Sequence, residues 1–546
     1  MADWEKKAAA KRDANLAKIP KEWLLPSEFQ IGDETSHESV LDIPAKCGIL
    51  TPEEVVVTQN FDAVSLAKVV QVGSLKAEGV AIAFCKRAAI AQQLTNCLTE
   101  TFFDDAIKRG KWLDEYLAKH GKPVGPLHGL PISIKDPFNY TGVQSTLGMI
   151  SYLDQPAAKE NSALVDILLD LGAILYCKTN IPQTMMTADS HNNTFGRTLN
   201  PHRLSLGAGG SSGGEGALVA LRGSVIGVGT DIGGSVRIPA LVNGTYGFKP
   251  TPNRVPYGGQ ASVSRRGSPG FPAAAGPLTN AFEDLELFTR SVIEIRPWDR
   301  DATAIAYPWR TETANAKPSK LRIGYFEGDS QFPIHPPVRR ALESAAKVLA
   351  TAGHEVIPLQ QAPSLETALG LSTDYWSLDN QHTSIQHIKN GGEPIIPSLA
   401  NQGPTLTKKE AGYSMDDLFE INVKTGAYKA SWNSLWVQNK LDVILCPGAE
   451  TTAVPHDTFG IPPYTLVWNL LQYPGIVIPV GKADKAIDRD SLAGNDWKRK
   501  YKSEDIHGAP LSIQLVARSY QDEELIAASR VIDQCLKIAD NTGLQK

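Results

Sequence analysis

The sequence predicts an α/β protein: a large, mixed and mostly parallel β-sheet flanked by helices on both faces, preceded by an N-terminal helical arm. Three observations carry this expectation. From residue 121 onward, short apolar segments alternate with amphipathic ones, the order that a helix-covered sheet produces. One complete strand–helix–strand unit is legible at Leu321–Tyr325, Val338–Ala350 and Glu355–Leu359, with Gly353 as the helix stop. Of the 546 residues, 42% are hydrophobic and 21% charged, ordinary values for a chain that buries a large core.

The elements follow in order. The first sixty residues are polar and rich in Pro, Lys and Glu, and read as an arm laid on something larger. The division expected is this arm over 1–74, then one domain over 75–540. From Asp62 to His120 the pattern is helical. Val80, Phe84, Arg87/Ala88 and Ala91 fall at i, i+4, i+7/i+8 and i+11, and Leu94 and Leu98 continue the stripe. Gly110 and Gly121 are the expected breaks. A strand at Pro131–Ile134 precedes a helix at Ser162–Leu171, stopped by Gly172, and a strand at Ala173–Cys177. Gly216–Leu221 reads as helix and Ser224–Gly229 as strand. Late strands at Val443–Cys446, Ile476–Val480 and Leu511–Val516 lead to a C-terminal helix over about Asp522–Ile538. The charged, turn-rich Lys482–Lys502 stretch reads as a surface loop.

Composition narrows the function. With 54 basic and 59 acidic residues the net charge is −5, which leaves no basic footprint for nucleic acid. No run of about 18 apolar residues occurs, so no membrane span is expected. The N-terminus lacks the apolar core of a secretory signal, and a cytoplasmic location is expected. Cys47, Cys85, Cys97, Cys177, Cys446 and Cys535 are scattered without a CxxC pair, as in reduced thiols rather than disulfides or a zinc site. Cys177, inside an apolar run, reads as core. None of the eleven histidines has a ligand spacing, so neither metal nor organic cofactor is expected.

Three segments could carry chemistry. The first is Gly207-Ala208-Gly209-Gly210-Ser211-Ser212-Gly213-Gly214-Glu215-Gly216. A flexible linker has little use between apolar segments inside an α/β alternation. A phosphate loop would need a closing Gly-Lys-Ser/Thr. Gly209–Gly213 satisfies the nucleophile-elbow pattern G-x-S-x-G, which would require a histidine such as His335, His456 or His507. The second segment, Gly229-Thr230-Asp231-Ile232-Gly233-Gly234-Ser235-Val236-Arg237, sets a serine after two glycines at a strand end. Successive small residues let backbone N–H groups converge into an anion nest that can hold a developing oxyanion. Asp231 and Arg237 beside it read as a structural ion pair. The third is Lys135, directly after the Pro131–Ile134 strand. Lysine is almost never fully buried unless paired. Held neutral it is a general base, which requires about 4–5 kcal/mol of environmental bias at pH 7.

Together these segments resemble the amidase signature family. The stretch Gly209–Glu215, then Gly229–Pro239, then Gly247-Phe248-Lys249-Pro250-Thr251 is similar to its defining signature, with Ser211 and Ser235 at the family separation. The family lysine falls on Lys135. Further matches are Lys178–Gln183, Gly276–Thr279 and Pro510–Val516, so the resemblance covers about residues 75–535, with a signature core at about 125–280. Phe84–Ala91, Asn96–Glu100, Tyr464-Thr465 and Trp468-Asn469 resemble the fungal acetamidase and fatty acid amide hydrolase branch.

The resemblance implies the amidase signature fold and hydrolysis of amides through a Ser-cisSer-Lys triad. Ser235 would be the nucleophile and acyl carrier. Ser211, after a cis peptide, would relay the proton, and Lys135 would be the base. Backbone N–H groups of Ile232, Gly233, Gly234 and Ser235 would form the oxyanion hole, with Met185 at the substrate pocket. Pocket walls are expected from Met185–Thr187 and Tyr464–Trp468. No spanning helix like that of the mammalian lipid amidases is legible, which favours small, acetamide-like substrates. A carbamate such as urethane, or a longer amide, is the alternative. An amidotransferase subunit, an α/β-hydrolase esterase using Ser211 or Ser212, and an inactive binding protein are less favoured. Relatives commonly form homodimers.

Overall fold

Short runs of apolar and β-branched residues condense into one central sheet. The computed structural model describes residues 2–31, 33–401, 409, 412–493 and 501–541. In chain order the strands are β1 (Leu98–Thr101), β2 (Pro131–Lys135), β3 (Ile174–Thr179), β4 (His191–Asn192), β5 (Gly196–Arg197), β6 (Ile226–Asp231) and β7 (Tyr246–Lys249). Then come β8 (Ala274–Thr279), β9 (Arg322–Tyr325), β10 (Glu355–Pro358), β11 (Val443–Cys446), β12 (Gly475–Lys482) and β13 (Pro510–Val516). All but the small β4–β5 hairpin join one sheet, ordered β1-β3-β2-β6-β8-β7-β12-β13-β11-β9-β10. The sheet is mixed. β3-β2-β6 and β11-β9-β10 are parallel blocks, and the strands between and beside them pair antiparallel. Every residue of β2, β3, β6, β8 and β13 is buried, whichever face it points to. Only a sheet flanked by helices on both faces buries strands so completely.

The strand–helix–strand unit expected after residue 320 forms as β9, the helix Pro336–Thr351 and β10, with Gly353 at φ +94 after the helix. Gly121 likewise ends the helix Phe103–His120 in a left-handed conformation. Two details differ from expectation. The stripe through Leu94 does not continue helically to Leu98: the helix Ala77–Thr95 stops at Asn96, which takes a left-handed φ of 52, and Leu98 opens β1. Asparagine tolerates that conformation through its short polar side chain. Gly110 is not a break. It lies buried in the middle of Phe103–His120, where a Cβ would stand 2.7 Å from the Ala77 carbonyl and 2.8 Å from Glu78 Cα. Its lack of a side chain lets two helices touch.

The N-terminal helix Asp3–Leu16 lies against β1. Lys11 and Lys18 converge on buried Glu100, Lys18 at 2.8 Å, and Arg12 donates to the Thr194 carbonyl at 2.9 Å. A third of the Lys482–Lys502 stretch, residues 494–500, falls outside the described residues; before it lie the end of β12 and a short helical turn at Asp490–Leu492. Among the described residues no helix is long and apolar enough to cross a membrane.

Gly110→Ala sets two effects against each other. Alanine gains up to about 1 kcal/mol in helix propensity. Its methyl meets backbone that cannot turn aside, and overpacking of this sort costs about 1–3 kcal/mol. The variant should melt below the wild-type chain in a calorimetric scan; an equal or higher midpoint would show that the two helices separate at no cost.

Candidate active site

The parallel pairing of β2 with β6, Ile132 opposite Ile226 and Ile134 opposite Val228, brings the C-terminal ends of both strands together. Alternation along β2 turns Ile132 and Ile134 to one face and Ser133 and Lys135 to the other. Ser133 donates to Glu215 at 2.5 Å, so that second face looks at the helix Gly213–Ala220. Lys135 is fully buried beside it, its Nζ 2.7 Å from Ser211 Oγ and 2.8 Å from Thr230 Oγ1. The Gly210–Ser211 peptide is cis. All ten residues of Gly207–Gly216 are buried, which a solvated linker would not be.

Burial pushes the Lys135 amine down to about 7, against the pull of the carboxylates of Asp231, Glu215 and Asp136. Each of those carboxylates has other partners. Glu215 accepts the Ser133 and Thr179 hydroxyls, yet burial still lifts its pKa to about 8. Asp136 accepts the Thr99 hydroxyl and the Leu147 N–H, each at 2.7 Å. Burial also acts to raise Asp231, but the Arg237 guanidinium outweighs it and holds that carboxyl well below the usual carboxylate range.

The loop after β6 carries Ser235, and four contacts fix its backbone. Gly234 N–H donates to Asp231 Oδ1 at 2.8 Å, and the Gly233 carbonyl accepts the Thr465 hydroxyl at 2.7 Å. Ile238 N–H donates to the Gly234 carbonyl at 2.6 Å, and Ser212 N–H to that of Ser235 at 3.2 Å. Gly234 has a φ of +129 and packs so closely on Thr465 that any side chain there would strike its hydroxyl. Under the loop, Arg237 grips Asp231 with two contacts of 3.0 Å, both residues wholly buried. Its guanidinium reaches on to Gln514 Oε1 at 2.8 Å, the Thr465 carbonyl at 3.0 Å and Asn469 Oδ1 at 2.5 Å.

Ser235, Gly210, Ile232 and Gly233 line a cavity of about 50 Å³ that is otherwise mostly apolar. The segment Met185–Thr187 lines it. Of Tyr464–Trp468 only Leu466 does. Tyr464 turns away to hydrogen-bond the Phe332 carbonyl, and Trp468 packs on Trp432 with ring centroids 4.9 Å apart. The sequence reading missed Thr230 as the second hydroxyl on Lys135. It also missed Leu369, Thr373 and Trp376, which wall the cavity from the helix Leu365–Trp376. Their i, i+4, i+7 spacing marks one helical face, the single signal that could have found them.

The histidines that an elbow mechanism would need lie elsewhere. His456 bonds the Leu204 carbonyl, His507 lies 4.0 Å from Asp484, and His335 packs against Tyr501. Ser212 Oγ sits 3.4 Å from the Thr230 carbonyl. All six cysteines are free thiols, and Cys177 is buried in β3. Among the described residues no group of three or more His, Cys, Asp or Glu side chains could hold a metal ion.

Known proteins resemble this chain along nearly its whole length. A family model described as Amidase matches residues 80–526. The chain is 42% identical over 538 residues to an amidase of Gibberella moniliformis, covering 98% of this chain and 99% of that protein. It is 39% identical over 555 residues to an acetamidase of Emericella nidulans, covering 98% of each. Among solved structures it is similar to fatty acid amide hydrolase, with a TM-score of 0.90 and 33% identity over 98% of this chain and 95% of that one. By the family match and by relatives that span its length, the chain belongs to the amidase family and is a hydrolase of amide C–N bonds.

Proposed function

We propose that the chain hydrolyses small carboxylic amides to acid and ammonia or amine through an acyl-enzyme on Ser235, with Ser211 as proton relay and Lys135 as base. The observation that carries this reading is a wholly buried amine in contact with Ser211, whose neighbour Gly210 lines the same cavity as Ser235. A neutral lysine keeps two N–H bonds and one lone pair. With hydroxyls on Ser211 and Thr230 as its neighbours, it can donate to one while accepting from the other.

Ser235 Oγ attacks the amide carbon while its proton passes to Ser211 Oγ, whose own proton passes to Lys135 Nζ. The carbonyl oxygen becomes an oxyanion. We assign its donors to the N–H groups of Ile232, Gly233 and Ser235, because that of Gly234 is committed to Asp231. Each such donor is worth about 2.7–4 kcal/mol in acyl transfer. Lys135 then returns its proton through Ser211 to the leaving nitrogen, and the C–N bond breaks. Water enters by the same relay and releases the acid. Asp231 and Arg237 touch no reacting atom in this scheme; they hold the nest. Met185 contributes a wall of the cavity, whose limited apolar volume supports a small acyl group. The acetamidase relatives support the same substrate class.

Ser235→Ala should abolish turnover of acetamide and prevent labelling by a fluorophosphonate. Activity near that of the wild-type chain, or a label mapped to Ser211 or Ser212, would overturn the assignment. Lys135→Ala should lower kcat/KM by roughly 10⁴-fold or more, with the far-ultraviolet circular dichroism of the wild-type fold. Loss of that spectrum would make the residue structural. Because burial lowers the Lys135 pKa to about 7, the neutral base is the minor form below that pH. The kcat/KM profile of the wild-type chain should therefore fall tenfold per unit below about pH 7 and level off above it. A profile flat from pH 5 to 10 contradicts the mechanism.

A further inference from the structure

The cavity that Ser235 lines adjoins a second one. The inner one, about 50 Å³, is bounded by Ser235 and Gly233 and walled by Ile238, Leu369 and Leu466. The outer one, about 580 Å³, has an apolar lining that includes Ile385, Ile395 and Leu399, and a rim with Arg265, Asp379 and Lys389. Met186, Ile232 and Trp376 line both, so these three side chains form the neck between them. They come from three separate segments of the chain.

Trp376 is the largest of the three and the most constrained. It is the last residue of the helix Leu365–Trp376, whose Leu369 and Thr373 lie on the same face and line the inner cavity. That face therefore runs from the inner wall out to the neck. The indole lies over the nest itself, since a Cβ built on Gly233 would stand 3.6 Å from its Cη2 atom. Phe271, 7% exposed, packs against it with ring centroids 5.9 Å apart, and Phe271 meets Tyr375 edge-on at 6.0 Å. Turning the indole aside displaces a second ring. Methionine at 186 offers no such resistance, because its unbranched thioether adapts to what it touches.

We propose that Trp376 is the specificity-determining residue of the site: it closes the neck and confines the acyl group to what the inner cavity holds. Removing the indole joins the inner cavity to the outer one, whose apolar lining and charged rim suit a long acyl chain. The proposal rests on Ser235 as acyl carrier, so its test must separate the two.

The experiment compares kcat/KM for acetamide and for decanamide in the wild-type chain, Trp376→Phe and Trp376→Ala, with labelling of Ser235 by a small fluorophosphonate as the control. The decanamide-to-acetamide ratio should rise by at least about tenfold in Trp376→Ala and by less in Trp376→Phe, while Ser235 is labelled in all three. An unchanged or lower ratio, with Ser235 still labelled, overturns the neck assignment and leaves the nucleophile standing. Failure to label Ser235 in the wild-type chain overturns the catalytic reading and this proposal with it. Should Trp376→Ala not fold, Trp376→Leu and Trp376→Phe give the same readout, and a ratio that does not move in either is the same refutation.

Discussion

A primary amine removed from water cannot keep its charge at ordinary cost, and the site is organised around one that has been removed completely. Lys135 has no exposure, and its nearest polar atoms are hydroxyl oxygens rather than carboxylates. Desolvating an ammonium costs several kcal/mol even after the protein relaxes, enough to bring a base of ordinary value 10.5 to about 7. Three carboxyl groups lie near enough to reverse that effect, and each is occupied. The charge of Asp231 is offset by the Arg237 guanidinium, Asp136 is held by Thr99 and Leu147, and burial keeps Glu215 protonated further up the pH scale. The lowered pKa of the amine is thus a property of the whole shell.

That shell cannot be assembled from the signature segments alone. Arg237 holds Asp231 beneath the nest, but the guanidinium is itself satisfied by Thr465, Asn469 and Gln514, more than two hundred residues further along the chain. Thr465 also accounts for the glycine at 234 and bonds the Gly233 carbonyl. A buried guanidinium with partners missing would carry a penalty larger than most single interactions are worth. The late strand β13 and the helix Pro463–Leu470 are therefore as necessary to the nest as the loop that forms it.

The division between machinery and selectivity follows the same geometry. Residues close to the proposed chemistry sit at strand ends and in loops fixed by backbone hydrogen bonds. The walls of the cavity come instead from the helices Leu365–Trp376 and Pro463–Leu470 and from the segment around Met186, where side-chain volume alone sets what fits.

By itself the sequence determined the chemistry-bearing segments and the sheet, because both depend on local pattern. Lys135 directly follows the apolar run Pro131–Ile134 and closes β2, two glycines before Ser235 permit a tight nest, and Gly121, Gly172 and Gly353 end helices by the conformation they tolerate. It did not determine that Leu98 leaves the helix or that Gly110 stays within one, since the first depends on an asparagine turning left-handed and the second on a neighbouring helix. Nor could it find Thr230, Trp376 or the outward turn of Tyr464 and Trp468. Those are decided by which side chains meet across long stretches of chain, and packing between distant segments leaves no periodicity to read.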